Sequence, residues 1–122
     1  MLYSEIVPTR KAATEAKAHE HAKRPSVLPS RAILERAAGI FKAVSDPGRL
    51  QLLLSLADGE RCVSELSEVA KGEGLSLVSQ RLRVLRGERL VQKRREGKHI
   101  YYSLADAHVK ELLHAVLHHA RE

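Results

Sequence analysis

The residues best placed to do chemistry lie at the end of the chain, where Asp106-Ala107-His108 and His119-Ala120-Arg121-Glu122 flank an amphipathic segment. In a helix each residue turns about 100°, so His108 and His119 fall within about 20° of one another, with Leu112 and Ala115 between them and Glu122 close by. Val109, Leu113, Val116, Leu117 and Ala120 form a second stripe on the opposite side. One of these surfaces can close on the chain's own domain, and the other calls for a partner. The two histidines stand about 16 Å apart along the axis, too far to meet on one ion within one chain. Two copies packed antiparallel remove that obstacle: His108 of one helix meets His119 of the other, and Asp106 and Glu122 come to the same end. Two imidazole nitrogens and two carboxylate oxygens make a closed tetrahedral zinc site, and two-fold symmetry repeats it. Asp106 sits at the helix start, where helical phase does not fix the direction of a side chain.

Nitrogen and oxygen donors also suit cobalt and nickel, and cadmium gains weight if the thiol of Cys62 takes part; zinc is chosen from the tetrahedral donor count. His114 and His118 are spaced for one helical face but share it with Glu111 and Arg121, and they read as solvated surface.

The elements that must position these residues follow from the pattern upstream. Residues 1–29 are rich in Ala, Lys, Glu and His and end in Arg24-Pro25-Ser26-Val27-Leu28-Pro29, the composition of a mobile N-terminal arm. Ser30 is suited to cap a helix over 31–44, along which Ile33, Ala37, Ile40, Phe41 and Val44 recur at helical spacing. Asp46-Pro47 caps and opens a second helix carrying Leu50, Leu53 and Leu54, which stops near Asp58-Gly59. Two short helices over 62–70 and 76–87, joined by Lys71-Gly72-Glu73-Gly74, outline a helix–turn–helix, with Val63, Leu66 and Val69 inward on the first and Val78, Leu82 and Leu85 inward on the second.

The remaining face of that second helix offers Ser76, Ser79, Gln80, Arg81 and Arg83, whose hydroxyl, amide and guanidinium groups bond phosphates and base edges. Strands over 90–95 and 99–104 then enclose Glu96-Gly97-Lys98, with Ile100, Tyr102 and Leu104 alternating inward and Lys93, Arg94, Arg95 and Lys98 crowding the tip. A basic hairpin directly after a helix–turn–helix is the winged arrangement of DNA-binding domains. The expected fold is mainly α with a small two-stranded antiparallel wing, residues 30–122 serving DNA binding and dimerisation through the first and last helices.

Composition agrees. The 122 residues are 43% hydrophobic but only 3% aromatic, without Trp, and carry a net charge of +6, which favours a polyanionic partner. No apolar run reaches membrane-spanning length and no signal-peptide core opens the chain, so a cytoplasmic protein is expected. The lone Cys62 cannot form an internal disulfide.

Asp46-Pro47-Gly48-Arg49-Leu50, Cys62-Val63-Ser64-Glu65-Leu66, Val78-Ser79-Gln80-Arg81-Leu82-Arg83-Val84-Leu85, Gly97-Lys98-His99-Ile100-Tyr101-Tyr102 and the Asp-x-His…His-x-x-Glu ending occur in that order. Together they resemble the ArsR/SmtB family of metal-responsive repressors over residues 33–122. The resemblance implies a homodimer that holds double-stranded operator DNA when metal-free and lets go on binding metal, with Asp106, His108, His119 and Glu122 as the zinc-sensing ligands. It also implies a second candidate metal site, since Cys62 and Glu65 match positions that in some relatives bind metal together with an N-terminal arm. This arm holds no cysteine and offers His19 and His21. Two departures stand out: the turn before the recognition helix is one residue longer, and Gln80 replaces a frequent His. The alternatives are a winged-helix regulator responding to a thiol oxidant at Cys62 or to another signal, and a small metal-dependent hydrolase. A catalytic zinc keeps an open position, whereas four donors fill this one. No small organic substrate is expected.

Overall fold

The computed structural model describes residues 27–70 and 72–122. These carry α1 (Arg31–Val44), α2 (Pro47–Ser55), β1 (Arg61–Cys62), α3 (Val63–Val69), α4 (Leu75–Gly87), β2 (Val91–Glu96), β3 (His99–Leu104) and α5 (Ala107–Ala120). Residues 36–122 form one unit, and residues before 36 a second, of which 27–35 are described.

Each corner has a local cause. Asp46 adopts an extended conformation and its carboxylate accepts the Arg49 N–H at 2.9 Å, while Pro47 occupies the first turn of α2, where no N–H is needed. Arg49 reaches back, its Nε donating to the Ala43 carbonyl at 2.6 Å and its Nη2 to that of Lys42 at 3.3 Å, so it closes the open carbonyl end of α1. Arg61 does the same for α2 through the Ser55 carbonyl at 2.7 Å. The acid and the base of the Asp-Pro-Gly-Arg motif thus serve two successive helix ends.

The core gathers Leu52, Leu53 and Leu56 from and just after α2, Leu66 from α3, Val78, Leu82 and Leu85 from α4, Leu90 and Val91 at the entry to the wing, and Val109 and Leu113 from α5. Leu53 on α2, Leu66 on α3 and Val78, Leu82 and Leu85 on α4 are fully enclosed, and the three on α4 follow its helical spacing. On α1 the division differs from the simple apolar stripe. Ala43 is buried and Ile40 and Val44 pack on the core, but Phe41 remains 61% exposed. On α5 the inward stripe buries only its first half, and Val116 stays 43% exposed.

β2 and β3 pair antiparallel around Gly97-Lys98, from Val91↔Leu104 to Glu96↔His99, and Gly97 takes φ +62, which a side chain would resist. The sheet has a third strand beyond the two-stranded wing: β1 pairs with β3 through Arg61↔Tyr102 and Cys62↔Tyr101, giving the order β1-β3-β2. A two-residue strand has no periodicity of its own, and pairing on both edges leaves Ile100 through Leu104 all half-buried instead of alternating. No helix among the described residues is long and apolar enough to cross a membrane.

Candidate metal ligands and nucleic-acid interface

At the start of α5, Asp106 is the N-cap: its Oδ1 accepts the Val109 N–H at 3.1 Å. That bond sets the direction the sequence left open, holding the carboxylate 3.7 Å from Nδ1 of His108. At the other end, Glu122 places Oε1 3.7 Å from Nδ1 of His119 and Oε2 3.6 Å from Nε2 of His118. Both His108 and His119 are 89% exposed. One end of the helix therefore presents an imidazole beside a carboxylate, and the other a carboxylate beside two imidazoles, all on open surface. Among the described residues, no three such donors of one chain cluster around a point. Two such pairs, one from each of two chains, supply the two nitrogens and two oxygens that tetrahedral zinc accepts, so the donor chemistry fits the metal.

Because Asp106 both caps the helix and belongs to the donor set, its two roles separate by substitution. Asp106→Asn retains a capping side chain and is expected to unfold within about 0.5 kcal/mol of the parent, while Asp106→Ala should lose about 1 kcal/mol. Urea melts check this, and both variants are expected to bind zinc more weakly in titration.

Cys62 and Glu65 are neighbours for a local reason. Cys62 caps α3, the Glu65 carboxylate accepts the Cys62 N–H at 2.9 Å, and the thiol lies 3.1 Å from Oγ of Ser64. The bonds from the Cys62 backbone and side chain hold the Glu65 carboxyl below its ordinary range. This reciprocal cap accounts for the three-residue spacing without any ion. His19 and His21, the other members of the second candidate set, lie outside the described residues.

On α4, Ser76, Ser79, Gln80 and Arg83 are exposed along one side, while Arg81 is only 17% exposed. The Arg81 guanidinium pairs with Glu73 in the turn and lies over Gly48 at the start of α2, where an added Cβ would stand 2.5 Å from its Cζ. Within the wing, Lys93, Arg95 and Lys98 are exposed. Arg94 points to the other face of β2, pairing with Glu60 and Glu96 and lying 4.7 Å over the Tyr101 ring. These arginines hold the Glu60 and Glu73 carboxyls below their usual values, chiefly through the side-chain bonds, and raise their own in return. Sequence reasoning grouped all nine polar and basic residues together; geometry divides them into an outward set and two arginines engaged inside the chain.

α4 ends in a reversal that touches the α5 site. The Arg89 N–H bonds the Arg86 carbonyl at 2.9 Å and the Leu90 N–H bonds that of Leu85 at 3.0 Å, with Arg89 at φ +60. This is a Schellman ending with arginine where glycine is usual. The Ala105 N–H then bonds the Leu90 carbonyl at 3.0 Å, and a groove of about 400 Å³ is lined by Glu88, Arg89 and Leu90 on one side and Asp106, His108 and Leu112 on the other. Arg89→Gly is expected to raise stability by about 0.5–1 kcal/mol by relieving the left-handed conformation. A lower urea midpoint would instead show that the guanidinium contributes more than its backbone costs.

The family model described as "Bacterial regulatory protein, arsR family" matches residues 46–93. A transcriptional repressor SmtB homolog from Synechocystis is 46% identical over 88 residues, covering 72% of this chain and 66% of its own length. The HTH-type transcriptional regulator NmtR of Mycobacterium tuberculosis is 39% identical over 101 residues, 83% of each protein. The solution structure of a homodimeric winged helix-turn-helix DNA-binding domain from Mycobacterium bovis superimposes with a TM-score of 0.71 at 37% identity, covering 77% of this chain and 89% of that one. With this overlap across the helix–turn–helix and wing, the chain belongs to the ArsR family of bacterial regulatory proteins.

Proposed function

We propose that this regulator is a repressor whose homodimer holds operator DNA when metal-free and lets go when a divalent transition metal, zinc first among them, is held between its last helices. The observation that carries the reading is the pairing of imidazole and carboxylate at both ends of α5. In the antiparallel arrangement, Asp106 and His108 of one protomer and the partner subunit's His119 and Glu122 are the ligands. Zinc held by these four donors would cross-link the protomers and would have no position left for a catalytic water. Cobalt, nickel and cadmium fit the same scheme with different geometric demands. DNA binding and dimerisation are assigned to residues 30–122. The family is one of regulators, which leaves the hydrolase reading without support.

The chain's own residues connect the two sites. Ala105 precedes the capping Asp106 and donates to Leu90, whose N–H closes the end of the recognition helix on Leu85. A change in the direction of α5 at Asp106 is thereby delivered to the carboxyl end of α4 through two backbone hydrogen bonds. Separation of the two recognition helices must match successive turns of the major groove, about 34 Å apart, so a small change of angle between protomers costs affinity. Linkage then requires DNA to weaken metal binding by the factor by which metal weakens DNA binding. Operator affinity measured with and without zinc, for the parent and for His119→Ala, tests the proposal. Equal release of both proteins by zinc would locate the sensor elsewhere, with the thiol of Cys62 the next candidate.

A further inference from the structure

We propose that Arg81 and Arg94 are positioning residues that fix the recognition helix and the wing, and that phosphate contact belongs to Arg83, Lys93, Arg95 and Lys98. Charge and sequence position alone would make all six equivalent. For Arg94 the strand decides first: neighbouring residues alternate faces, so Lys93 and Arg95 share one face of β2 and Arg94 lies on the other. There its three guanidinium nitrogens are all engaged. Nε lies 3.0 and 3.1 Å from the two Glu60 oxygens, Nη2 also bonds Glu60, and Nη1 donates to Glu96 at 2.9 Å. The Tyr101 ring covers the plane of the group. Glu60 immediately precedes β1, which leads into α3, so this fork ties the wing to the entry of the helix–turn–helix.

Arg81 joins three parts of that motif. It springs from the recognition helix, forks onto Glu73 in the turn and fills the space above Gly48 on α2. A phosphate could recruit either arginine only by displacing a two-point carboxylate partner, a strong charge-assisted arrangement. Glu60 and Glu73 sharpen the distinction. If Arg94 contacts phosphate, Glu60 competes with DNA, and its removal strengthens binding. If Arg94 positions the wing, removal of Glu60 weakens binding.

The experiment is operator affinity of the intact homodimer across a salt series, where each lost phosphate contact reduces the slope of log K against log salt by about 0.9. Lys98→Ala is expected to flatten the slope by about 1.8 for the two protomers. The charge-neutral double variant Glu60→Gln/Arg94→Gln is expected to bind about tenfold more weakly with its slope kept within about 0.3 of the parent, and Glu60→Gln alone should also weaken binding. Gly48→Ala changes no charge but obstructs Arg81, and should lower affinity about fivefold at constant slope. Glu60 is exposed enough that Glu60→Gln leaves the fold intact, which far-UV circular dichroism verifies. Tighter binding by Glu60→Gln, or a slope loss in Arg94→Gln equal to that of Lys98→Ala, would overturn the assignment of Arg94. Unchanged binding by Gly48→Ala would overturn that of Arg81. Absence of operator binding by the parent would instead count against DNA recognition itself.

Discussion

In His119→Ala, zinc is expected to change operator affinity by less than about twofold, whereas the same titration of the parent should weaken it about 10- to 100-fold, the range of a typical coupling free energy. The imidazole is 89% exposed and touches no part of the core, so its removal should leave folding and metal-free DNA binding as they are. In the proposed site the substitution takes away one of four donors on each ion and leaves Glu122 alone to hold that side of the link between subunits. Zinc titration should show the complementary half of the linkage: operator duplex lowers the zinc affinity of the parent by the same factor and has no effect on the variant. Full release of the variant by zinc would defeat the α5 reading outright.

Phe41→Glu should abolish the dimer and, with it, at least about a thousandfold of operator affinity, because a two-fold operator is held through two recognition helices at once. Phe41 is 61% exposed on α1, and Val116 is 43% exposed on α5. Large aromatic side chains are the commonest anchors of protein interfaces, and an unpaired carboxylate buried at such a place costs several kcal/mol. Since Phe41 lies outside the core cluster, the protomer should retain its helical content. Sedimentation and operator binding at matched concentrations provide the measurement. A Phe41→Glu protein that stays dimeric and binds DNA normally would remove α1 from the interface.

Much of this architecture was legible because apolar spacing and caps are local. Val78, Leu82 and Leu85 announce the inner face of the recognition helix, Asp46-Pro47 the start of α2, and Gly97 the turn of the wing. The surplus surface of α5 was legible for the same reason: two stripes on one helix leave one surface over, and the structure leaves His108, His119 and Glu122 exposed on it. Long basic side chains resist this kind of reading. Arg49, Arg81 and Arg94 carry charges that look solvated in sequence, yet each finds its partner through space, on Ala43, Glu73 and Glu60. β1 escaped because two residues hold no period. The ending of α4 escaped because Arg89 occupies a left-handed position without the glycine that usually marks it. Asp106 was legible as a residue at the helix start but had no direction until its bond to the Val109 N–H supplied one.

The contact of Arg49 with the last carbonyls of α1 has a mechanical meaning. It welds α1 to α2 at a stiff elbow, and α2 in turn bears the Arg81 side chain of the reading helix upon Gly48. Two arginines thus span successive joints, Arg49 between α1 and α2 and Arg81 between α2 and α4, so a displacement of α1 has an unbroken side-chain path to the reading helix.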